Sequence, residues 1–298
     1  MDFSNCTLCP RACHADRLNG QHGYCGIGEK LLVARAALHM WEEPCISGEK
    51  GAGAVFFSGC SLRCIYCQNH QISSAKRGKE ISTARLAEIF LGLEEKGAAN
   101  LELVTGAHYI PQIVEALDLA KRQGLELTVI YNSSGYESVC ALKLLEGYVD
   151  VYLPDFKYMD RELAKAFSNA SDYPEVAGAA IQEMLRQTGE CVFDQEGYIQ
   201  KGTIVRHLIL PGHTKNSIQV LEYLRKAYGD RIYVSLMNQY TPVCPSGGKY
   251  PQLDRRLTRR EYEKVLNHAL ELGLEKGFWQ EGETAGEGFI PEFDGEGV

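Results

Sequence analysis

No apolar run of the roughly 18 or more residues that a bilayer-spanning helix needs occurs in this sequence. The opening MDFSNCTLCP lacks a basic stretch followed by an apolar one, so no secretory signal is read there and the expected location is cytoplasmic. No solenoid-length repeat, low-complexity tract or long linker divides the chain. Basic residues are in deficit, 31 against 39 acidic, for a net charge of −8 over 298 residues. Such a balance argues against a generic binder of phosphate backbones, so neither nucleic acid nor membrane is an expected partner. With 45% hydrophobic and 23% charged residues, composition excludes a disordered chain, a coiled coil and a collagen-like fibre. A chain of this length can bury about 75% of its unfolded surface and needs no covalent staples.

Cysteine is what the sequence has in excess, 11 residues and an odd number. In a reducing compartment, clustered cysteines indicate metal before disulfide. Cys6, Cys9, Cys13 and Cys25 form one group, with Gly20, Gly23 and Gly26 easing turns around them. These four soft ligands suit either a closed tetrahedral zinc or a second iron–sulfur cluster, and His14 or His22 could replace one thiolate. Cys60, Cys64 and Cys67 form the other group. Cys45, Cys140, Cys191 and Cys244 stand alone and read as small core residues, Cys45 set apart by lying between the two groups.

Residues 1–50 are rich in Cys, Gly and polar residues with little periodicity, and read as a Cys-rich metal-binding lobe. From residue 51 to 298, short β-branched or apolar runs alternate with helical stretches. Strands are expected at 53–58, 100–105, 127–131, 149–153, 203–210 and 232–237, with a last short one at 277–280. Helices are expected at 83–96 with Thr83 as N-cap, 112–123, 137–146, 161–188 broken near Pro174, and 259–272. Alternation of this kind implies right-handed βαβ units and a parallel sheet, either a βα barrel or a doubly wound sheet. Both place ligands beyond the C-terminal ends of the strands. The Gly- and acid-rich tail reads as solvated, or as docked across the barrel mouth by Phe289, Ile290 and Phe293.

After the first expected strand comes Gly59-Cys60-Ser61-Leu62-Arg63-Cys64-Ile65-Tyr66-Cys67. Three thiolates on one tight loop can hold three irons of a cubane 4Fe–4S cluster, leaving the fourth iron open to a chelating ligand. The alternative is a zinc site that borrows a ligand such as His70. The motif CxxxCxΦC, with Tyr66 as the aromatic, resembles that of the radical S-adenosylmethionine (SAM) superfamily. Within it, GCSLRCIYCQN is similar to the cluster loop of the glycyl-radical-enzyme activases, typified by the activator of pyruvate formate-lyase. Asn132-Ser133-Ser134-Gly135-Tyr136, Asp155-Phe156-Lys157 and Arg206 in TIVRHLILPG resemble that group in the same order. The N-terminal cysteines and the EEPCISG and LMNQY segments resemble a less characterised, activase-related branch.

The resemblance implies a partial (β/α)6 TIM-like barrel with a small N-terminal Cys-rich lobe. It implies a 4Fe–4S cluster on Cys60, Cys64 and Cys67, with SAM cleaved reductively to methionine and a 5′-deoxyadenosyl radical that removes hydrogen from a substrate. Tyr66 would flank the adenine, and Thr105 or His108 would stand where the superfamily meets the methionine amino group. Asn132 and Ser133 would hydrogen-bond the SAM carboxylate or ribose. Asp155 and Lys157 alternate on a strand end and could hold SAM's polar groups, and Arg206 could bridge its carboxylate. Four of these also have structural readings: a capping or packing histidine for His108, a surface ion pair for Asp155 and Lys157, and a barrel salt bridge for Arg206. The implied partners are a low-potential electron donor of flavodoxin or ferredoxin type and a protein substrate, a glycyl radical enzyme among them. A small-molecule or peptide substrate is the alternative, as is a non-catalytic iron–sulfur or zinc module.

Overall fold

The computed structural model describes residues 3–75, 77–279 and 291–298. Among these, ten strands join in one sheet: β1 (Leu31–His39), β2 (Ala52–Phe57), β3 (Lys79–Ile81), β4 (Leu101–Val104), β5 (Val129–Ser133), β6 (Val151–Pro154), β7 (Val192–Phe193), β8 (Ile199–Leu208), β9 (Tyr233–Met237) and β10 (Gly277–Trp279). The helices are α1 (His70–Ser73), α2 (Thr83–Glu95), α3 (Ile110–Arg122), α4 (Val139–Leu142), α5 (Arg161–Ser168), α6 (Tyr173–Thr188), α7 (Thr214–Tyr228) and α8 (Arg259–Glu271). The sheet runs β10-β9-β8-β6-β5-β4-β2-β1-β3, with β7 paired to β8 off this path. From β2 to β10 every neighbouring pair on the path is parallel, while β1 pairs antiparallel with both β2 and β3. The architecture is a partial βα barrel carrying an N-terminal cysteine-rich region.

Strand periodicity sorts the side chains into two cores. Leu103, Tyr131, Tyr152 and Val205 pack outward against helix residues such as Phe90, Ile113, Ile181 and Leu221. Their neighbours Ile130, Leu153 and Ile204 face the other way and meet Cys45 and Ile46 in a smaller apolar cluster. The turn after β1 therefore plugs one end of the barrel. It is fastened there by Asn100 Nδ2 donating to the Ile46 carbonyl at 2.8 Å and by the Ile199 amide donating to the Cys45 carbonyl at 2.9 Å. Two residues further along three of these strands, the inner face becomes polar, with Asn132, Asp155 and Arg206. One end of the interior is thus greasy and closed, the other polar and open.

Every expected strand is present within a few residues. Ser82 rather than Thr83 caps α2, its side chain accepting from the Arg85 amide at 3.1 Å. The break near Pro174 is the step between α5 and α6, with Pro174 in the first turn of α6, where its missing N–H costs nothing. Five elements were not anticipated: the short α1, β3 and β7, and the longer β1 and α7. β1 lies within the first fifty residues, where LLVARAALH joins the sheet instead of the lobe. α7 follows β8 and carries Val220, Leu221 and Leu224 on its buried face. Cys45 is buried as expected, whereas Cys140 is exposed and is not a core residue.

Phe289 and Ile290 lie outside the described residues. Phe293 is buried 5.6 Å from Phe56, centroid to centroid. Around it, residues 291–298 dock on β1: the Ala36 amide donates to the Glu296 carbonyl at 2.9 Å and the Gly295 amide to the Ala34 carbonyl at 3.1 Å. Arg35 pairs with Asp294 and Glu296.

Candidate active site

β2 ends at Phe57, and the chain turns through Gly59 at φ +90°. A Cβ there would lie 2.6 Å from Ile27 Cγ1 and 3.0 Å from the Cys25 carbonyl oxygen, so both conformation and space require glycine. The loop beyond brings Cys60, Cys64 and Cys67 to the wall of one cavity of about 200 Å³. The Leu62 amide donates to Cys60 Sγ at 3.4 Å, and Ser168 Oγ donates to Cys64 Sγ at 3.0 Å. Burial raises the Cys60 and Cys67 thiols above their ordinary range, and neighbouring thiolate charge adds to it. Donors aimed at sulfur and the nearby Lys157 oppose that penalty, as a site for bound thiolates requires. Three thiols opening on one cavity fit a cubane cluster, which takes one thiolate per iron. Among the described residues, no three His, Cys, Asp or Glu side chains converge on a single ion, and His70 is not in the cavity wall.

The expected SAM-site residues divide on inspection. Tyr66, Thr105, Asn132, Ser133, Asp155 and Lys157 all line the same cavity. Thr105 turns the chain beyond β4 at φ +63°. Tyr66 is held by a 2.7 Å bond between its hydroxyl and that of Tyr158, and by edge contact with Phe167. Burial holds the Tyr66 phenol protonated far above its ordinary range. Lys157 and Asp155 form a largely enclosed ion pair. Burial works against the Lys157 charge, but the Asp155 carboxylate outweighs it and raises the ammonium above its usual range. Asn132 Nδ2 donates to Glu102 Oε1 at 2.8 Å.

His108 is not among the residues lining the cavity. Its Nε2 donates to the Ser58 carbonyl at 2.7 Å, and burial pushes the ring down to about 4, so it is a neutral packing histidine. Arg206 lines the cavity, but its guanidinium is committed to two carboxylates. Nε donates to Glu43 Oε1 at 2.9 Å, and Nη2 reaches both Glu42 and Glu43. Burial opposes its charge and the two glutamates restore it. The structural reading of Arg206, an ion pair inside the barrel, is the arrangement found.

The partners of Arg206 were not singled out from the sequence. Glu42 and Glu43 arrive on the plug after β1, in the EEPCISG segment. Glu102 sits on the inner face of β4, and burial together with the neighbouring Glu42 charge raises its carboxyl well above the usual range. Two adjacent glutamates before an apolar turn, and a glutamate inside the strand LELV, were the available signals. Cys244 also departs from its expected isolation, since its Sγ lies 3.7 Å from the Cys67 carbonyl.

The fold and the three-cysteine cavity define a class. The radical SAM superfamily model matches residues 54–237, more than half of the chain, and the protein belongs to that superfamily. An uncharacterized protein of Methanocaldococcus jannaschii is 28% identical over 281 residues, covering 92% of this chain and 76% of that one. The pyruvate formate-lyase-activating enzyme of Clostridium pasteurianum is 30% identical over 114 residues, covering 36% of this chain and 45% of the enzyme. Streptococcus suis SuiB bound to S-adenosylmethionine superposes with a TM-score of 0.50 at 13% identity. That match covers 75% of this chain and 48% of SuiB, a likeness of fold. Among the described residues, no helix is long and apolar enough to cross a membrane.

Proposed function

We propose that this protein is a radical SAM enzyme acting on another polypeptide. The observation that carries the reading is the convergence of Cys60, Cys64 and Cys67 with Asn132, Ser133, Asp155 and Lys157 on one cavity beyond the parallel strands. A 4Fe–4S cluster held by the three cysteines would supply one electron for cleavage of SAM to methionine and a 5′-deoxyadenosyl radical. Lys157 and Asp155 then present one positive and one negative group, already balanced, to the zwitterionic end of SAM. Asn132 and Ser133 offer neutral hydrogen bonds beside them. Tyr66, locked by Tyr158, offers an apolar ring to the adenine. Arg206 is a positioning residue, holding Glu42 at the cavity wall.

Abstraction of hydrogen by a carbon radical needs no general base, so the site's task is positioning and exclusion of water. The plug below, with Cys45 and Ile46 among Ile130, Leu153 and Ile204, closes the cavity from that end. A protein substrate is favoured by the similarity to the Clostridium enzyme, whose name makes pyruvate formate-lyase its target. Activation of a glycyl radical enzyme is the finer form of this reading. Reducing equivalents would come from a flavodoxin- or ferredoxin-type donor.

The test is SAM cleavage by protein reconstituted anaerobically with iron and sulfide, reduced, and assayed for 5′-deoxyadenosine by mass spectrometry. Wild type should form the product and Cys64→Ala should form none. Equal product from the two, or a reducible cluster that fails to bind SAM, would sink the reading.

A further inference from the structure

The N-terminal cysteines take no part in the cavity, yet they are built directly against its cluster loop. Cys6, Cys9 and Cys25 are buried and Cys13 is exposed. Gly23 lies between two of them: a Cβ there would come within 3.2 Å of Cys13 Sγ and 3.4 Å of Cys25 Sγ. The bare backbone leaves that space to the sulfurs. Arg17 is fully buried beside the group, with Nη1 3.8 Å from Cys6 Sγ. It donates to the Gly28 and His108 carbonyls at 2.7 and 2.9 Å. Its guanidinium lies over the Phe3 ring, 4.1 Å from the centroid, but among the described residues it pairs with no carboxylate, and its Nη2 has no hydrogen-bond partner. A buried cation without a counter-charge is strongly disfavoured. Neutral thiols do not remove that penalty, whereas metal-bound thiolates carry the missing negative charge. His14 is engaged elsewhere, with Nδ1 2.9 Å from Asn5 Oδ1.

We propose that Cys6, Cys9, Cys13 and Cys25 hold a second iron–sulfur cluster that relays electrons to the site of Cys60, Cys64 and Cys67. Either metal would take four thiolates, but zinc has no redox chemistry, and only an iron–sulfur cluster could pass an electron to the loop these ligands touch. A cubane takes one thiolate per iron. The two loops are in backbone contact. The Cys60 amide donates to the Cys25 carbonyl at 3.4 Å, and Gly59 admits that carbonyl where a side chain would stand. Arg11, from the first loop, donates to the carbonyls of Ser61 and Ser168, each at 2.8 Å, with its guanidinium over Tyr24. The exposed Cys13 turns the second cluster toward an outside donor. In each transfer a low-potential one-electron donor protein is oxidised by one electron and the N-terminal cluster reduced by one. That cluster then returns to its oxidised state as the central one is reduced, and no atom or proton moves. The relay rests on the radical SAM reading, while the occupancy of the site does not.

The test uses the full chain. A C60A/C64A/C67A variant, reconstituted anaerobically, should keep about four irons and about four sulfides per chain, against about eight of each in wild type. Reduced, it should give an electron paramagnetic resonance signal of its own. About one zinc with no sulfide, or no metal in a variant whose circular dichroism matches wild type, would overturn the occupancy. Cys13→Ser, at the surface, should lower the iron content without lowering thermal stability before reconstitution, and unchanged iron would count against the assignment. Doubly reduced wild type should show spin coupling absent from the summed spectra of C60A/C64A/C67A and C9A/C25A. A wild-type spectrum equal to that sum would overturn the relay. Iron retained by the triple variant alongside failed SAM cleavage in wild type would leave this site standing and refute only the proposed activity.

Discussion

Arg206 is balanced by Glu42 and Glu43 inside the barrel. Its replacement strands two buried carboxylates, and removing one partner of a buried pair costs about 3–5 kcal/mol. Arg206→Met should lower unfolding free energy by that order in urea titrations, and adding Glu43→Gln should recover part of it. If the single variant unfolds like wild type, the network contributes no stability. His207 makes the matching argument about pH. Its Nδ1 donates to the Phe156 carbonyl at 2.7 Å, and burial pushes the ring down to about 4 from the usual 6.5. The stability it contributes is therefore fully present above pH 6.5 and is lost as pH falls toward 4. His207→Gln should flatten the fall in melting temperature across that window, a result calorimetry can check. At this scale the three cysteines of the loop and the polar residues at the strand ends, which meet on one cavity, were legible because motif spacing and strand periodicity locate them. The sequence did not reveal that Arg206 is committed to glutamates from a distant turn, since that pairing depends on how the plug enters the barrel.

The elements were legible where local pattern and tertiary environment agree. The buried parallel strands read as short apolar runs, and α8, expected at 259–272, proves to open on a capping box. Thr258 Oγ1 accepts from the Glu261 amide, and the Glu261 side chain accepts from the Thr258 amide at 2.9 Å. Thr258→Ala should cost about 1 kcal/mol in chemical denaturation and leave the assembled site unchanged. β1 was hidden by its surroundings. Its alternation is blurred because residues such as Ala34, Ala36 and Ala37 are buried on both faces, between the core and the docked residues 291–298. Its place among cysteine- and glycine-rich neighbours pointed to an irregular lobe. α7 carries its buried residues at helical spacing among polar ones, a weaker local pattern than the continuous apolar runs of β8 and β9 on either side of it.

For the whole molecule, the sheet order joins residues far apart in sequence. The contact between Arg35 and Asp294 spans 259 positions. A contact that closes so long a loop forms late, because the chain entropy lost on closure is repaid only once the intervening barrel exists. While the barrel assembles, the outer edge of β1 beyond its short pairing with β3 has open donors and acceptors, as at Ala34 and Ala36. Such an edge can recruit a strand from another chain. Docking of residues 291–298 ends that interval, so these few residues act as a kinetic guard: how fast they arrive sets how long each newly folded barrel remains open to its neighbours.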